Sequence, residues 1–213
     1  MMDTAIQPGL RETLRQNGFV VVRGAIDPML LERAALKAWD TIAEYADKLK
    51  ELETAGELPY CLPMRVNDHT VLLDHAEHLL QSIGADPYWL QNLMLISKRP
   101  HEGRRFWHTD SPAIFAPATE GPPELFVIYM LQRTAVDLGN GCLLVVPGYA
   151  DGPQHAERVT TPMAEEYPIE TEPGDVIIMD PRLLHGSLAN ETNEHRFNIR
   201  LWIQTRWKEN PEC

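Results

Sequence analysis

Basic side chains are in short supply: 19 Lys and Arg stand against 31 Asp and Glu, for a formal net charge of -12. So acidic a chain has no broad cationic face, which counts against nucleic acid or an anionic membrane as a partner. Cysteine is scarce too. Cys61, Cys142 and Cys213 are odd in number and far apart in sequence, so neither a disulfide framework nor a zinc knuckle is indicated. No apolar run approaches the ~20 residues that span a bilayer. The opening stretch MMDTAIQPGLRETLRQNGF lacks the apolar segment of a secretory signal. Internal repeats and low-complexity tracts are also missing. These absences lead us to expect a soluble, cytoplasmic protein. The 213 residues, 44% hydrophobic and 23% charged, suffice for one well-cored domain over 1–213 and are short for two.

The chain changes character along its length. Residues 9–17 carry a short amphipathic pattern ending at Gly18, and GFVVVRGA (18–25) reads as a buried strand. A long helix opens with Asp27 as N-cap and Pro28 at its first position. Leu30, Leu31, Ala34, Ala35, Ala38, Trp39, Ile42 and Tyr45 keep helical spacing, and Gly56 is the expected stop. A second helix is expected over 71–82. Beyond it come strand-like runs at 89–97, 124–132, 141–148, 175–180 and 196–207, separated by Gly, Pro, Asn and Asp. Helices first and strands later suggest an α+β domain, helix-rich over 1–85, with a rolled sheet over 86–207. Residues 114–124, rich in Pro, Gly and Ala, read as a loop.

Chemistry concentrates in RRFWHTDSPAIF, where His108 and Asp110 stand two apart. On a strand, residues at that spacing share a face, so an imidazole and a carboxylate would converge on one point. EPGDVIIMDPRLLHGS offers a distant third donor, His185, just past a buried strand. Two imidazoles and one carboxylate with open positions suit a non-haem Fe(II) centre. In RFNIRLWIQTRW, Arg196, Asn198, Arg200, Trp202 and Gln204 share one strand face, and Phe197, Ile199, Leu201 and Ile203 the other. The polar face suits a cavity in which a guanidinium fork takes a carboxylate, although a solvated edge strand would show the same alternation.

With those motifs in order, the chain resembles the phytanoyl-CoA dioxygenase family of Fe(II)/2-oxoglutarate-dependent oxygenases, which includes ectoine hydroxylase. QNGFVVVRGAIDPMLLERAAL, FWHTD, NGCLLVVPGY and EPGDVIIMDPRLLHGSLANETNEHR carry the likeness over roughly Leu14 to Trp207. The resemblance implies a mainly β core folded as a double-stranded β-helix (a cupin-like jelly roll), with N-terminal helices packed on the major sheet. It implies His108, Asp110 and His185 as catalytic iron ligands. Arg196 would bind the distal carboxylate of 2-oxoglutarate, helped by Ser187. Gln91, and more loosely Asn92 and Lys98, are further contacts for it. The sequence departs from the family in PGYADG, a position that is normally structural, and in its short length.

The reaction implied is hydroxylation of an unactivated C–H in a small molecule, plausibly a natural-product or amino-acid-like intermediate. O2 is consumed, and 2-oxoglutarate is decarboxylated to succinate. Desaturation, epoxidation and rearrangement use the same ligands; Asp110 disfavours halogenation. Arg65 and Asn67, if MRVND is extended, together with Arg200 and Trp202, are candidate substrate contacts. Trp107, Phe115 and Tyr129 are further aromatic candidates, with core packing favoured for Trp107 and Tyr129. A homodimer or a partner subunit that completes the pocket is one expectation from the short chain. Two rivals stand beside this reading: a cupin-like metalloenzyme that does not use 2-oxoglutarate, and a non-catalytic paralogue serving as a partner subunit.

Overall fold

The computed structural model describes residues 9–45, 50, 61–110, 124–132, 134–148 and 159–207. Helix α1 (Leu10–Asn17) closes at Gly18, whose positive φ of 79° lets its N–H reach back to the Leu14 carbonyl. Strand β1 (Phe19–Val22) follows. Helix α2 (Pro28–Glu44) starts as the sequence predicts, with the Asp27 side chain accepting from the Met29 N–H and Pro28 at the first turn. The expected continuation to Gly56 lies almost entirely outside the described residues. Helix α3 (Thr70–Ser82) matches its expectation to within one residue.

The strands are β2 (Cys61–Pro63), β3 (Ala85–Lys98), β4 (Arg105–His108), β5 (Glu124–Met130) and β6 (Leu143–Val145). They continue with β7 (Tyr167–Ile169), β8 (Val176–Met179), β9 (His185–Ser187) and β10 (Arg196–Trp207). They form two antiparallel sheets, β1-β8-β5-β10-β3-β2 and β4-β9-β6-β7, facing each other as a jelly roll. Four of the strands, β2, β6, β7 and β9, have only three residues each, too few for alternation to define a face. The predicted strand at 141–148 contracts to Leu143–Val145, because Gly141 and Pro147-Gly148 are turn residues.

The alternation in β10 sorts its side chains as expected. Phe197, Ile199, Leu201 and Ile203 join Leu93, Leu95, Val127 and Ile178 in a core closed by Leu31, Ala34 and Ala38 of α2 and by Leu72, Ala76 and Leu80 of α3. Trp39 of α2 meets Phe197 edge-on, with ring centroids 5.0 Å apart. Each fully buried aliphatic side chain here contributes about 1.5–3 kcal/mol. The opposite face of the major sheet, with Phe126, Ile128, Ile177 and Met179, turns toward the minor sheet.

Tyr129 is fully buried in the helix-side core, in line with the core-packing expectation. Its hydroxyl lies 2.9 Å from His75 Nδ1 and 3.2 Å from the Leu72 carbonyl, while His75 Nε2 is 2.8 Å from the Ala25 carbonyl. Burial lowers the pKa of His75 below 6.5, against the Ala25 carbonyl that favours the charged form; burial also lowers that of His69. The sign follows directly. The unfolded chain takes up these protons near pH 6.5 and the folded chain only at lower pH, so acidification favours unfolding. The contribution of these two histidines should therefore be constant above about pH 7, and stability should fall as pH drops from there toward 5. The slope should be shallower in His75→Gln. A variant with the parental slope would remove His75 from this account.

Candidate metal centre

Strands β4 and β9 run side by side with His108 directly opposite His185, so both imidazoles leave the same face, ring centroids 4.2 Å apart. Asp110 arrives differently from the expectation. Strand β4 ends at His108, and Asp110 sits in a bend whose backbone N–H donates to the Pro181 carbonyl at 2.9 Å. The local reading of a strand carrying both donors therefore fails, but the convergence holds. One oxygen of Asp110 is 3.8 Å from His108 Nε2 and the other 3.6 Å from His185 Nε2. Candidate ligand atoms of all three residues lie within 4.8 Å of one another.

Each ring is held by its other nitrogen. His108 Nδ1 meets the Phe106 carbonyl at 3.0 Å, and His185 Nδ1 the Leu183 carbonyl at 2.8 Å. A backbone carbonyl can only accept, so each Nδ1 carries the proton and each Nε2 lone pair faces the cluster. Burial first, and then the neighbouring His185, bring His108 down to about 4, which keeps it neutral and ready to bind a metal at ordinary pH. Burial alone would raise the Asp110 carboxyl. His185, Arg200 and His108 outweigh it and hold the group well below the usual carboxylate range.

Gly186 lets β4 and β9 approach: a Cβ there would stand 3.0 Å from the Arg105 carbonyl. Backbone yields poorly, so Gly186→Ala should push β4 off β9 and spread the two imidazoles. We expect roughly tenfold weaker Fe(II) binding, the scale of a lost ligand-orienting contact. Anaerobic metal titration measures it. Unchanged affinity would mean that the strands can separate without moving the rings.

Such a donor set on paired jelly-roll strands calls for comparison with known proteins. The model of one family, Phytanoyl-CoA dioxygenase (PhyH), matches residues 14–198. The chain belongs to that family. Among curated relatives, dioxygenase aneA of Aspergillus aculeatus is 22% identical over 218 residues, covering 94% of this chain and 73% of aneA. Dioxygenase FUM3 of Gibberella moniliformis is 27% identical over 118 residues, 54% of this chain and 38% of FUM3. The crystal structure of AviO1 from Streptomyces viridochromogenes Tue57 superposes with a TM-score of 0.68 at 20% identity, covering 99% of this chain and 98% of AviO1. HygX from Streptomyces hygroscopicus, with nickel and 2-oxoglutarate bound, gives 0.65 at 15% identity, covering 97% and 91%. These likenesses establish a shared PhyH-type jelly roll.

The remaining candidate residues divide by place. Arg196 (3% exposed) and Ser187 (2% exposed) are both inside the roll, and Arg196 Nε and Nη1 and Ser187 Oγ have no hydrogen-bond partner among the described residues. Arg105, opposite Ser187 in the β4–β9 register, is close enough to Arg196 to help burial draw its pKa to about 10. Lys98 pairs in register with Arg196 and is fully buried. Its ammonium, though, is taken by the Gly103 carbonyl and stands 3.5 Å from Glu102. Burial lowers Lys98 to about 8. Gly141, with φ of 80°, makes room for it: a Cβ there would meet Lys98 Cγ at 3.0 Å.

Arg200 and Trp202 stand on the site face of β10. Arg200 Nη1 donates to Asp110 at 2.6 Å, and its guanidinium lies 4.4 Å from the centre of the Phe126 ring. The Trp202 indole donates to Glu124 at 2.9 Å. Gln91 is exposed and donates to the same Glu124 at 3.3 Å, so here it serves the rim. Asn92, opposite Trp202, carries a buried Oδ1 without a partner among the described residues.

The structure does not bring Arg65 and Asn67 to this site. The expected extended segment is broken by a 3₁₀ turn at Val66–Asp68, and exposed Arg65 pairs with Glu44 of α2 at 2.6 Å. Trp107 packs with Leu144, Val146 and Leu184 and donates to the Thr161 carbonyl, which makes it core. Phe115 and the loop expected at 114–124 lie, except for Glu124, outside the described residues. The sequence reading missed Cys61. As the partner of Ile96 in β2, it sits near enough to Arg200 and Asp110 for both to influence its thiol, whose pKa burial raises. Only the pairing of a three-residue strand reveals that place.

Proposed function

We propose that the chain is a mononuclear non-haem Fe(II)/2-oxoglutarate-dependent oxygenase that hydroxylates an unactivated C–H of a small molecule. The observation that carries this reading is the pairing of two features in one jelly roll. One is a His-Asp-His cluster with both Nδ1 atoms tied back. The other is a buried guanidinium and hydroxyl, Arg196 and Ser187, whose Nε, Nη1 and Oγ have no partner among the described residues.

The residues present fit both groups. Two neutral imidazoles and one carboxylate suit Fe(II) better than softer thiolate-binding metals. A buried cation with free donors fits the distal carboxylate of 2-oxoglutarate. The names of several structural neighbours support the reading, including HygX with iron bound, HygX with nickel and 2-oxoglutarate bound, and the non-heme alpha ketoglutarate dependent carbocyclase SnoK.

His108, Asp110 and His185 would hold the iron; Arg196 and Ser187 would hold and orient the cosubstrate. Loaded with both, the centre supplies an oxidant strong enough for an unactivated C–H while 2-oxoglutarate becomes succinate and carbon dioxide. The chain contributes orientation and exclusion of water. The carbonyls of Phe106 and Leu183 keep both rings in one tautomer, and buried Phe126, Ile128 and Val145 supply apolar walls.

The test is anaerobic. Fe(II) and 2-oxoglutarate added to metal-free protein should give the visible charge-transfer band of the chelate, lost in His108→Ala and weakened in Arg196→Ala. Iron binding without a band in the parent protein would favour a cupin-like metalloenzyme that does not use 2-oxoglutarate. No iron binding would favour a non-catalytic partner subunit.

A further inference from the structure

The geometry points to a substrate that carries a carboxylate, docked on Arg200 with its polar donors toward Asn92; this rests on the oxygenase reading. Arg200 is placed for a second anion. It is on the face of β10 that holds Arg196, two rungs along from it and in reach of Asp110, and its side chain is only 14% exposed. Phe126 and Trp202 fix the guanidinium plane from one side, at 4.4 and 5.9 Å from their ring centres. Nη1 is engaged by Asp110 at 2.6 Å, but Nε is buried without a partner among the described residues. A cation at the His-Asp-His cluster would compete with Arg200 for the Asp110 carboxylate, freeing the fork for another anion.

Charge balance favours that anion being the substrate's. The described charged groups grouped around this interior are Lys98, Arg105, Arg196 and Arg200 against Glu102 and Asp110. Fe(II) and the 2-oxoglutarate dianion cancel each other, so loading the centre leaves the cationic excess in place. It persists when Glu124 at the rim is counted, and a buried excess of that kind is costly until an anion neutralises it. On the neighbouring rung the partnerless Asn92 Oδ1 offers an acceptor for an N–H or O–H beside the carboxylate. A carboxylate with an adjacent hydrogen-bond donor describes an amino-acid-like molecule, and an uncharged hydrocarbon would leave both groups unsatisfied.

The test uses matched probes: phenylacetate against phenylacetamide, and N-acetyl-leucine against N-acetyl-leucinamide. Binding is followed by ligand-observed NMR on protein loaded with 2-oxoglutarate and diamagnetic Zn(II). The acids should bind at least tenfold more tightly than their amides. Arg200→Gln should abolish that preference, and Arg200→Lys should restore part of it. The Fe(II)/2-oxoglutarate band should keep its 2-oxoglutarate affinity within about threefold in Arg200→Gln, since Arg196 supplies that anchor. Equal binding of acid and amide, or no acid binding to the parent protein, overturns the proposal. So does a more than tenfold loss of 2-oxoglutarate affinity in Arg200→Gln at saturating Fe(II), which would assign Arg200 to 2-oxoglutarate itself. Absence of the band in the parent protein sinks the oxygenase reading instead, and the two failures are separately visible.

Discussion

Asp110→Asn is expected to end productive Fe(II) binding and, in the same protein without metal, to lower stability. Asparagine keeps the shape of the side chain and removes its charge. The cluster then loses its anionic donor, and two neutral imidazoles hold Fe(II) poorly; we expect affinity to fall more than about a hundredfold, beyond the range for losing a supporting contact. Arg200 loses the carboxylate that receives its Nη1 at 2.6 Å, and with side-chain exposures of 14% and 22% neither partner is well solvated. Breaking a fully buried pair costs about 3–5 kcal/mol; partial exposure here reduces that to about 2–3 kcal/mol. For a domain of this size the loss corresponds to roughly 5–10 °C in Tm. Melting curves with and without Fe(II), recorded anaerobically, separate the two effects. Parental stability in the metal-free variant would show that Arg200 is held by its aromatic neighbours alone. Parental stabilisation by Fe(II) would remove Asp110 from the donor set.

The reason this cluster was legible from sequence, and parts of its surroundings were not, lies in how far each relation reaches. His108 and Asp110 are local, and His185 follows a recognisable buried strand, so residue types and order sufficed to nominate all three. The alternation in β10 could likewise be read directly, because twelve residues in one strand repeat the pattern often enough to define two faces. What failed depended on pairing. The opposition of His108 and His185, which brings the rings together, is a register between two short strands with no signature of their own. Arg65 read as a pocket residue only on the assumption of extended backbone. A 3₁₀ turn and an ion pair to Glu44 take it elsewhere. Lys98 and Gln91 show the same limit at the level of side chains. Both are on β3 close to the site, but Gly103, Glu102 and Glu124 claim their polar ends, and nothing in a linear sequence announces such partners.

Arg196→Met should separate cosubstrate binding from folding, and in an unusual direction. Arg196 is 3% exposed, with Nε and Nη1 unpaired among the described residues, and burial followed by Arg105 draws its pKa down to about 10. A buried cation in that state is a standing cost to the folded chain without cosubstrate. Methionine matches much of its length and carries no charge, so the variant should melt no lower than the parent and up to about 1–4 kcal/mol more stably, as buried ion-to-apolar replacements have done elsewhere. Its affinity for 2-oxoglutarate should collapse. Two hydrogen bonds to a charged carboxylate at about 1.5–3 kcal/mol each amount to roughly a hundredfold to ten-thousandfold in Kd. Fe(II) affinity should stay near the parental value, because no donor of the His-Asp-His cluster is altered. Anaerobic titration of 2-oxoglutarate, read by the charge-transfer band and by thermal shift, tests all three statements together. A variant that loses stability and iron along with the band would make Arg196 a structural strut. A variant that keeps its stability and its iron, and loses only the cosubstrate, would mean that the chain tolerates a buried, half-satisfied cation because a dianion completes it.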